Sequence, residues 1–113
     1  MTARSRARDI HKVTYLYRDA GNYKFWGEFY IEGQLTQDEL RPHLLRSEYF
    51  VPERVGIPSL VPLQMNGDDH LLHEIDSITP SGSAPYVATA DELLERFRAA
   101  SGHWFQASDE PWL

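Results

Sequence analysis

Apolar and polar side chains alternate along residues 24–33, near the start of the chain. An extended strand here would carry Phe25, Phe29 and Ile31 on one side, and Trp26, Glu28, Tyr30 and Glu32 on the other. Residues 13–18 are rich in β-branched and aromatic side chains, which favour strands. The intervening Asp-Ala-Gly-Asn at 19–22 is typical of a turn. The pattern therefore predicts a β-hairpin whose loop is longer than two residues.

Two capping boxes predict where helices begin. Thr36 is followed three residues later by Glu39, and Thr89 by Glu92, so each pair can exchange side-chain-to-backbone hydrogen bonds. We expect the first helix to reach about residue 46, with a bend or an early end at Pro42, because proline removes a backbone hydrogen bond. The second helix carries an apolar stripe at helical spacing, formed by Leu93, Leu94, Phe97 and Ala100.

The remaining segments complete a small fold. Residues 71–78 are expected to form a third strand, and the proline-containing, apolar residues 47–66 an ordered loop that wraps the domain. The predicted fold class is α+β, a short antiparallel sheet in the order ββαβα with two helices on one face. We expect a single domain over residues 10–113, preceded by a flexible basic tail at residues 1–9.

Composition narrows the function by exclusion. The chain has 113 residues and no cysteine, so disulfides, thiol nucleophiles and cysteine-ligated metals are excluded. The formal net charge is −6, whereas proteins that read nucleic-acid backbones are basic. No apolar run approaches the length of a membrane span, and no apolar stretch follows the basic N-terminus. We therefore expect a cytoplasmic protein that binds neither nucleic acid nor a membrane.

The densest cluster of possible metal ligands is formed by Asp69, His70, His73 and Glu74. Imidazoles and carboxylates are the side chains that bind Zn²⁺ or Mn²⁺. On a regular strand, however, His70 and His73 point to opposite faces, so both could bind one metal only if His70 belongs to the preceding loop. The alternative interpretation is structural, with one histidine packed and hydrogen-bonded and the other exposed, and no cofactor.

Support for other chemistry is weak. The sequence has no G-x-S-x-G nucleophile motif and no glycine-rich phosphate loop. A metal-independent nuclease could in principle use His11, Arg18, His43 and His73 as base and phosphate-binding cation, but no spacing in the sequence selects that set.

Trp26 and Tyr30 are the candidate partner-binding residues, together with Glu28 and Glu32 between and beside them. Two helices cover one side of a small sheet, so these side chains would stand on the other side. Aromatic side chains with a polar atom are frequent anchors of protein interfaces. The alternative is that the apolar loop 49–63 or the tail 104–112 covers them.

Three segments together resemble a known group. They are YRDAGNYK at 17–24, YFVPERVGIP at 49–58 and DHLLHE at 69–74. The chain resembles a group of small, uncharacterised bacterial proteins that share YRDAxNYK, F(V/I)xExVGIP and DHxxHE segments. The resemblance implies a bacterial, cytoplasmic protein, and it implies no mechanism.

Two functions follow as hypotheses. The first is a non-catalytic interaction or accessory protein that binds a protein partner or a second copy of itself. The second is a metal-dependent hydrolase or metal-binding protein that uses Asp69, His70, His73 and Glu74.

Overall fold

A five-stranded mixed sheet runs through the part of the chain that the structure, a computed structural model, describes: residues 9–19, 23–61 and 72–104. The strands are β1 (Ile10–Arg18), β2 (Lys24–Glu32), β3 (Tyr49–Phe50), β4 (His73–Ser81) and β5 (Ala88–Thr89). The helices are α1 (Gln37–Leu40) and α2 (Ala90–Ala100), and 3₁₀ turns cover Arg41–His43 and Pro52–Val55. The predicted tail at residues 1–9 lies outside the described residues except for its last position.

The central strand of the sheet is β1. The sheet order is β3-β4-β1-β2-β5, and β1 pairs antiparallel with β2 on one side and with β4 on the other. β5 runs parallel to β2 and pairs with its last two residues. The mixed α/β composition and the hairpin are confirmed. The sequence pattern misses the two-residue strands β3 and β5, so the observed order of elements is ββαβββα, and the predicted third strand runs from His73 to Ser81.

Both predicted capping boxes form. Thr36 and Glu39 exchange side-chain-to-backbone hydrogen bonds at the start of α1, and Thr89 and Glu92 do so at the start of α2. The hydrogen bonds with the backbone and then the side chain of Thr89 lower the pKa of Glu92 below its ordinary value. The ionised form of Glu92 therefore favours the folded state at neutral pH, and this contribution is lost as the pH falls through that lowered pKa.

The first helix is short for the reason that its proline predicts. α1 ends at Leu40, and the 3₁₀ turn over Arg41–His43 follows with Pro42 near its start. Because proline has no backbone N–H, the helix cannot continue its hydrogen-bond pattern through this residue. The expectation that the helix reaches residue 46 is wrong, and that of an early end at Pro42 is confirmed.

One face of the sheet packs into an apolar core. Its aromatic members are Tyr15, Phe29, Phe50, Phe97 and Trp104, joined by aliphatic side chains of β1, β2, both helices and the loop after β3. Neighbouring ring centroids in this group lie 5.4 to 6.5 Å apart, in tilted or edge-to-face contacts. Each fully buried side chain of this size stabilises the fold by about 1.5–3 kcal/mol relative to its exposed state.

The proline-containing loop after β3 is held against this core. Val51, Val55 and Ile57 are buried in the core cluster. The hydroxyl of Tyr15 donates a hydrogen bond to the carbonyl of Pro58 at 2.7 Å. The described part of the loop, to residue 61, is therefore the ordered, wrapping loop that the sequence predicts.

No helix among the described residues is long and apolar enough to cross a membrane.

Replacing Gly27 by alanine tests the close packing of this face. A Cβ atom at Gly27 would lie 2.7 Å from Leu60 Cδ2 and 3.0 Å from two carbons of the Tyr15 ring. The end of Leu60 can shift, but the Tyr15 ring is held by its hydrogen bond to Pro58 and by its aromatic neighbours. We expect Gly27→Ala to lower the free energy of unfolding by about 1–3 kcal/mol in urea denaturation.

The matched control is Gly82→Ala, because a Cβ atom at Gly82 meets nothing within 4 Å. We expect this control to leave the free energy of unfolding within about 0.5 kcal/mol of the wild type. Equal effects of the two substitutions would contradict the packing of Tyr15 over Gly27.

Candidate interaction surface

The sheet face that points away from the core carries all four residues predicted to bind a partner. Trp26, Glu28, Tyr30 and Glu32 are alternate residues of β2, and the residues opposite them on β1 are Leu16, Thr14, Lys12 and Ile10 in that order. We call these side chains of β1 and β2 the outer face. On it, Trp26 and Glu28 are exposed, whereas Tyr30 and Glu32 are partly buried.

Trp26 is the main exposed apolar group of the outer face. It is 54% exposed, and Leu16, opposite it on β1, is only 5% exposed. A partner that covers Trp26 removes apolar area from water without breaking a contact of the core. A large ring in this situation is typical of an interface anchor.

Charged side chains of both signs lie on the same side of the sheet as Trp26. Lys12 Nζ lies 3.6 Å from a carboxylate oxygen of Glu28, and Arg18 Nε lies 4.0 Å from one of Glu74. These side chains remain 26% to 52% exposed, so water screens both pairs. Such pairs contribute from zero to about 1 kcal/mol each to stability. Their main effect is to place alternating charges beside the exposed ring.

The segments that could have covered Trp26 lie on the core side where the structure describes them. The loop residues Val51, Val55 and Ile57 belong to the core cluster. Trp104 belongs to it as well, and its Nε1 donates a hydrogen bond to the carbonyl of His43 at 3.1 Å. The remaining parts of these two segments, 62–63 and 105–112, lie outside the described residues.

A second exposed apolar group lies beside Tyr30. The backbone N–H of Val87 donates to the carbonyl of Tyr30 at 3.0 Å. Tyr86 and Val87 are 47% and 52% exposed. Sequence reasoning missed this group, and the available signal was a pair of strand-forming side chains shortly before the second capping box.

The predicted metal ligands are described in part. Asp69 and His70 lie outside the described residues, whereas His73 and Glu74 open β4. His73 faces the core, because its partner on β1 is the buried Tyr17, and Glu74 faces the other side, opposite Leu16. The two described members therefore diverge.

His73 has a structural environment. It is 1% exposed, and its Nε2 accepts a hydrogen bond from the backbone N–H of Leu60 at 3.0 Å. Its ring centroid lies 5.1 to 6.1 Å from those of Tyr15, Tyr17 and Phe50. Within residues 9–19, 23–61 and 72–104, no group of three or more His, Cys, Asp or Glu side chains is placed to hold a metal ion. Zinc or manganese binding that includes Asp69 and His70 stays a prediction.

The side chains suggested for a nuclease are not brought together. His11 lies beside Pro80 at one end of β4, and His73 lies beside Tyr17 at the other end. The six strand positions between His11 and Tyr17 correspond to about 20 Å. Arg18 points to the opposite side of the sheet from both, so His11, Arg18 and His73 do not share a site.

A cleft between α1, the turn before β3 and β4 contains three charged side chains, Arg41, Glu48 and Glu74. Burial, and then the charges of Glu48 and Glu74, raise the pKa of the adjacent Tyr49. The cleft has a volume of about 110 Å³, whereas sites for small organic ligands span about 300–1,000 Å³. Its volume lies below that range.

No family model, curated protein or solved structure matches the chain. The resemblance to small bacterial proteins therefore stays a prediction, and the functional argument depends on the geometry of the sites.

Replacing His73 by leucine separates the structural role from metal binding. The substitution removes the acceptor for the partly buried Leu60 N–H. We expect the free energy of unfolding to fall by about 1–3 kcal/mol. The decrease should be the same in the presence of EDTA as with added Zn²⁺ or Mn²⁺.

The control is His103→Leu, since His103 is exposed, and we expect it to have little effect. A loss of stability in His73→Leu that occurs only when zinc or manganese is present would contradict the structural role and support a metal site instead.

Proposed function

We propose that this chain is a non-catalytic interaction protein whose outer face binds a protein partner. The observation that carries the proposal is the 54% exposure of Trp26 on the outer face, beside the buried Leu16. Leaving a ring of this size in water is unfavourable, and a partner surface would relieve that cost.

In this proposal, both helices cover the core face and leave the outer face to the partner. The apolar side chains of Leu40 in α1, and of Leu93 and Phe97 in α2, share one cluster with Val13 and Phe29 of the sheet. These sheet residues alternate with those of the outer face. Helices that pack against one set do not cover the other set.

The chemistry of the outer face favours a protein as the partner. It combines an aromatic anchor with charged side chains around it, which matches the aromatic centre and polar rim of protein interfaces. Glu28 and Glu32 lie beside Trp26 and Tyr30, and the whole chain has a net charge of −6, so a phosphate backbone would be repelled. The cysteine-free sequence and the resemblance to bacterial proteins favour the bacterial cytoplasm as the place of action.

The non-catalytic part of the proposal is supported by the state of His73. It is the described histidine of the densest cluster of possible metal ligands, and its Nε2 already accepts a backbone hydrogen bond. A nitrogen engaged in this way is not available as a metal ligand or a general base without loss of that bond.

The double variant Trp26→Ala, Tyr30→Ala tests the proposal. The wild-type protein, immobilised without a tag, is used to capture proteins from a lysate of the source cell. We expect the double variant to lose at least about tenfold of the specifically captured protein, because anchor residues contribute more than about 1.4 kcal/mol to an interface. Its circular dichroism should match that of the wild type.

The matched control is Glu95→Ala, Arg98→Ala, which removes an exposed ion pair from α2 and leaves the outer face intact. Capture by this control should equal that of the wild type. Unchanged capture by the folded Trp26→Ala, Tyr30→Ala variant would contradict the proposal.

A further inference from the structure

One edge of the sheet is left open along most of β2. On its inner side β2 pairs with β1 over all nine residues, from Lys24 to Glu32. Along the edge of β2 that points away from β1, β5 pairs with β2 only at Ile31 and Glu32. Within the described residues, no other strand lies along that side. A free strand edge presents unpaired N–H and C=O groups that can accept another strand.

The hydrogen bonds at the two ends of β2 show which residues present these groups. The backbone N–H of Gly33 donates to Asp9, and the carbonyl of Tyr23 accepts from Asp19, so the odd-numbered residues bond toward β1. The carbonyl of Tyr30 instead accepts from Val87, on the β5 side. Backbone groups alternate in direction along a strand. The backbone groups of Lys24, Trp26 and Glu28 therefore point out of the open edge, and all three residues are exposed.

The opposite edge of the sheet is protected along the first part of β4 in ways that this edge is not. β3 covers the start of β4 at His73 and Glu74. The side-chain amide of Gln37 then donates to the carbonyls of Ile75 and Asp76, at 3.2 and 3.1 Å. The register with β1 also shifts at this point, which marks a β-bulge. Short covers, side-chain caps and bulges are the usual means of preventing edge pairing.

We infer that the open edge of β2 binds the same edge of a second copy of this chain, antiparallel, with the two-fold axis at Trp26. The inference depends on the proposed function, since it names a second copy as the protein that covers Trp26. The two sheets would join into one continuous sheet across the axis.

The backbone geometry selects this register. Residues whose backbone groups point outward must pair with each other, and Tyr30 is already engaged with Val87. All three free positions can be used at once only if Trp26 lies opposite Trp26 of the second copy. Lys24 then lies opposite Glu28 of the second copy, and Glu28 opposite its Lys24. Shifting the axis to Gly27 would place Lys24 opposite the occupied Tyr30.

The side chains complement one another in this register. Lys24 and Glu28 have opposite charges and are equidistant from Trp26, so the strand is charge-complementary to its own reverse. Glu28 would lie between Lys24 of the second copy and its own neighbour Lys12, whose Nζ is 3.6 Å away. The two Trp26 rings would form an aromatic cross-strand pair, and such pairs and opposite charges contribute about 0.2–1 kcal/mol each.

Charge reversal tests the pairing by light scattering over protein concentrations from about 1 μM to about 1 mM. Lys24→Glu places two glutamates opposite each other at both symmetric positions, and we expect the dissociation constant of the dimer to rise about tenfold. Glu28→Lys should have a similar effect. The double variant Lys24→Glu, Glu28→Lys restores opposite charges and should recover most of the loss, which a merely structural effect of either residue would not do.

Cysteine variants test the register directly, since the chain has no cysteine of its own. Mixing Lys24→Cys protein with Glu28→Cys protein under mild oxidation should give a disulfide-linked dimer of one copy of each, because opposed Cα atoms lie about 5.5 Å apart. Each variant oxidised alone should give little dimer, since identical positions are then about 13 Å apart along the strand.

A wild-type protein that is monomeric across the concentration range would overturn the inference. So would a dimer whose dissociation constant is unchanged by both single reversals, or one that crosslinks equally well in the unmixed variants. Capture of a different protein that still requires Trp26 and Tyr30 would, with a monomeric wild type, reject the second copy as partner and leave the proposed function intact.

Discussion

The position of the Tyr15 side chain determines which face of the sheet is covered. Tyr15 lies at the middle of the central strand, and its ring contacts Phe29, Phe50 and His73. Its hydroxyl donates to Pro58, which ties the long loop to the centre of the core face. Burial also raises the pKa of the Tyr15 hydroxyl. Because the described part of this loop is bound to the core face, it does not extend over the opposite one.

His73 reinforces the same constraint. Its Nε2 accepts from Leu60, two residues beyond Pro58, so the loop is held at two neighbouring points. A histidine serves here because it combines an aromatic surface, which packs against tyrosine and phenylalanine rings, with one acceptor for a backbone N–H. A phenylalanine would pack as well but would leave the Leu60 N–H buried without a partner. The polar atom and the ring thus have separate roles in one residue.

Alternating and capping patterns could be predicted from the sequence because they depend on neighbouring residues. Both capping boxes and the two faces of β2 follow from spacings of three and two. The strands β3 and β5 could not be predicted, since two residues show no periodicity and become a strand only by pairing with a distant one. The turn before β3 also could not be predicted from the sequence. Arg46 and Ser47 adopt positive φ angles of 54° and 61° there, where glycine or asparagine is usual.

The residues of the candidate site also divide into those whose position follows from local spacing and those whose position does not. That Trp26 and Tyr30 share a face with Glu28 follows from strand alternation alone. The side of the sheet that His73 faces could not be deduced in the same way, because the shift of register between β1 and β4 interrupts the alternation. Before the bulge, the residues of β4 that face the core have odd numbers, His73 and Ile75. After the bulge, the even-numbered Ile78 faces the core, opposite Val13. An argument from spacing fails across a bulge, since the extra residue exchanges the two faces beyond it.

The difference between the two edges of the sheet explains why pairing through β2 would stop at two copies. An antiparallel pair with its axis at Trp26 uses the same edge from each copy, so neither copy keeps a free β2 edge for a third. The other edge is covered at the start of β4 by β3 and the Gln37 amide, and it is interrupted by the bulge at Asp76. At the end of the open stretch, the bond between Val87 and Tyr30 limits how far a strand can slide. The open edge of β2 is bounded at one end and matched in charge to its own reverse, which favours a closed dimer over an open-ended fibre.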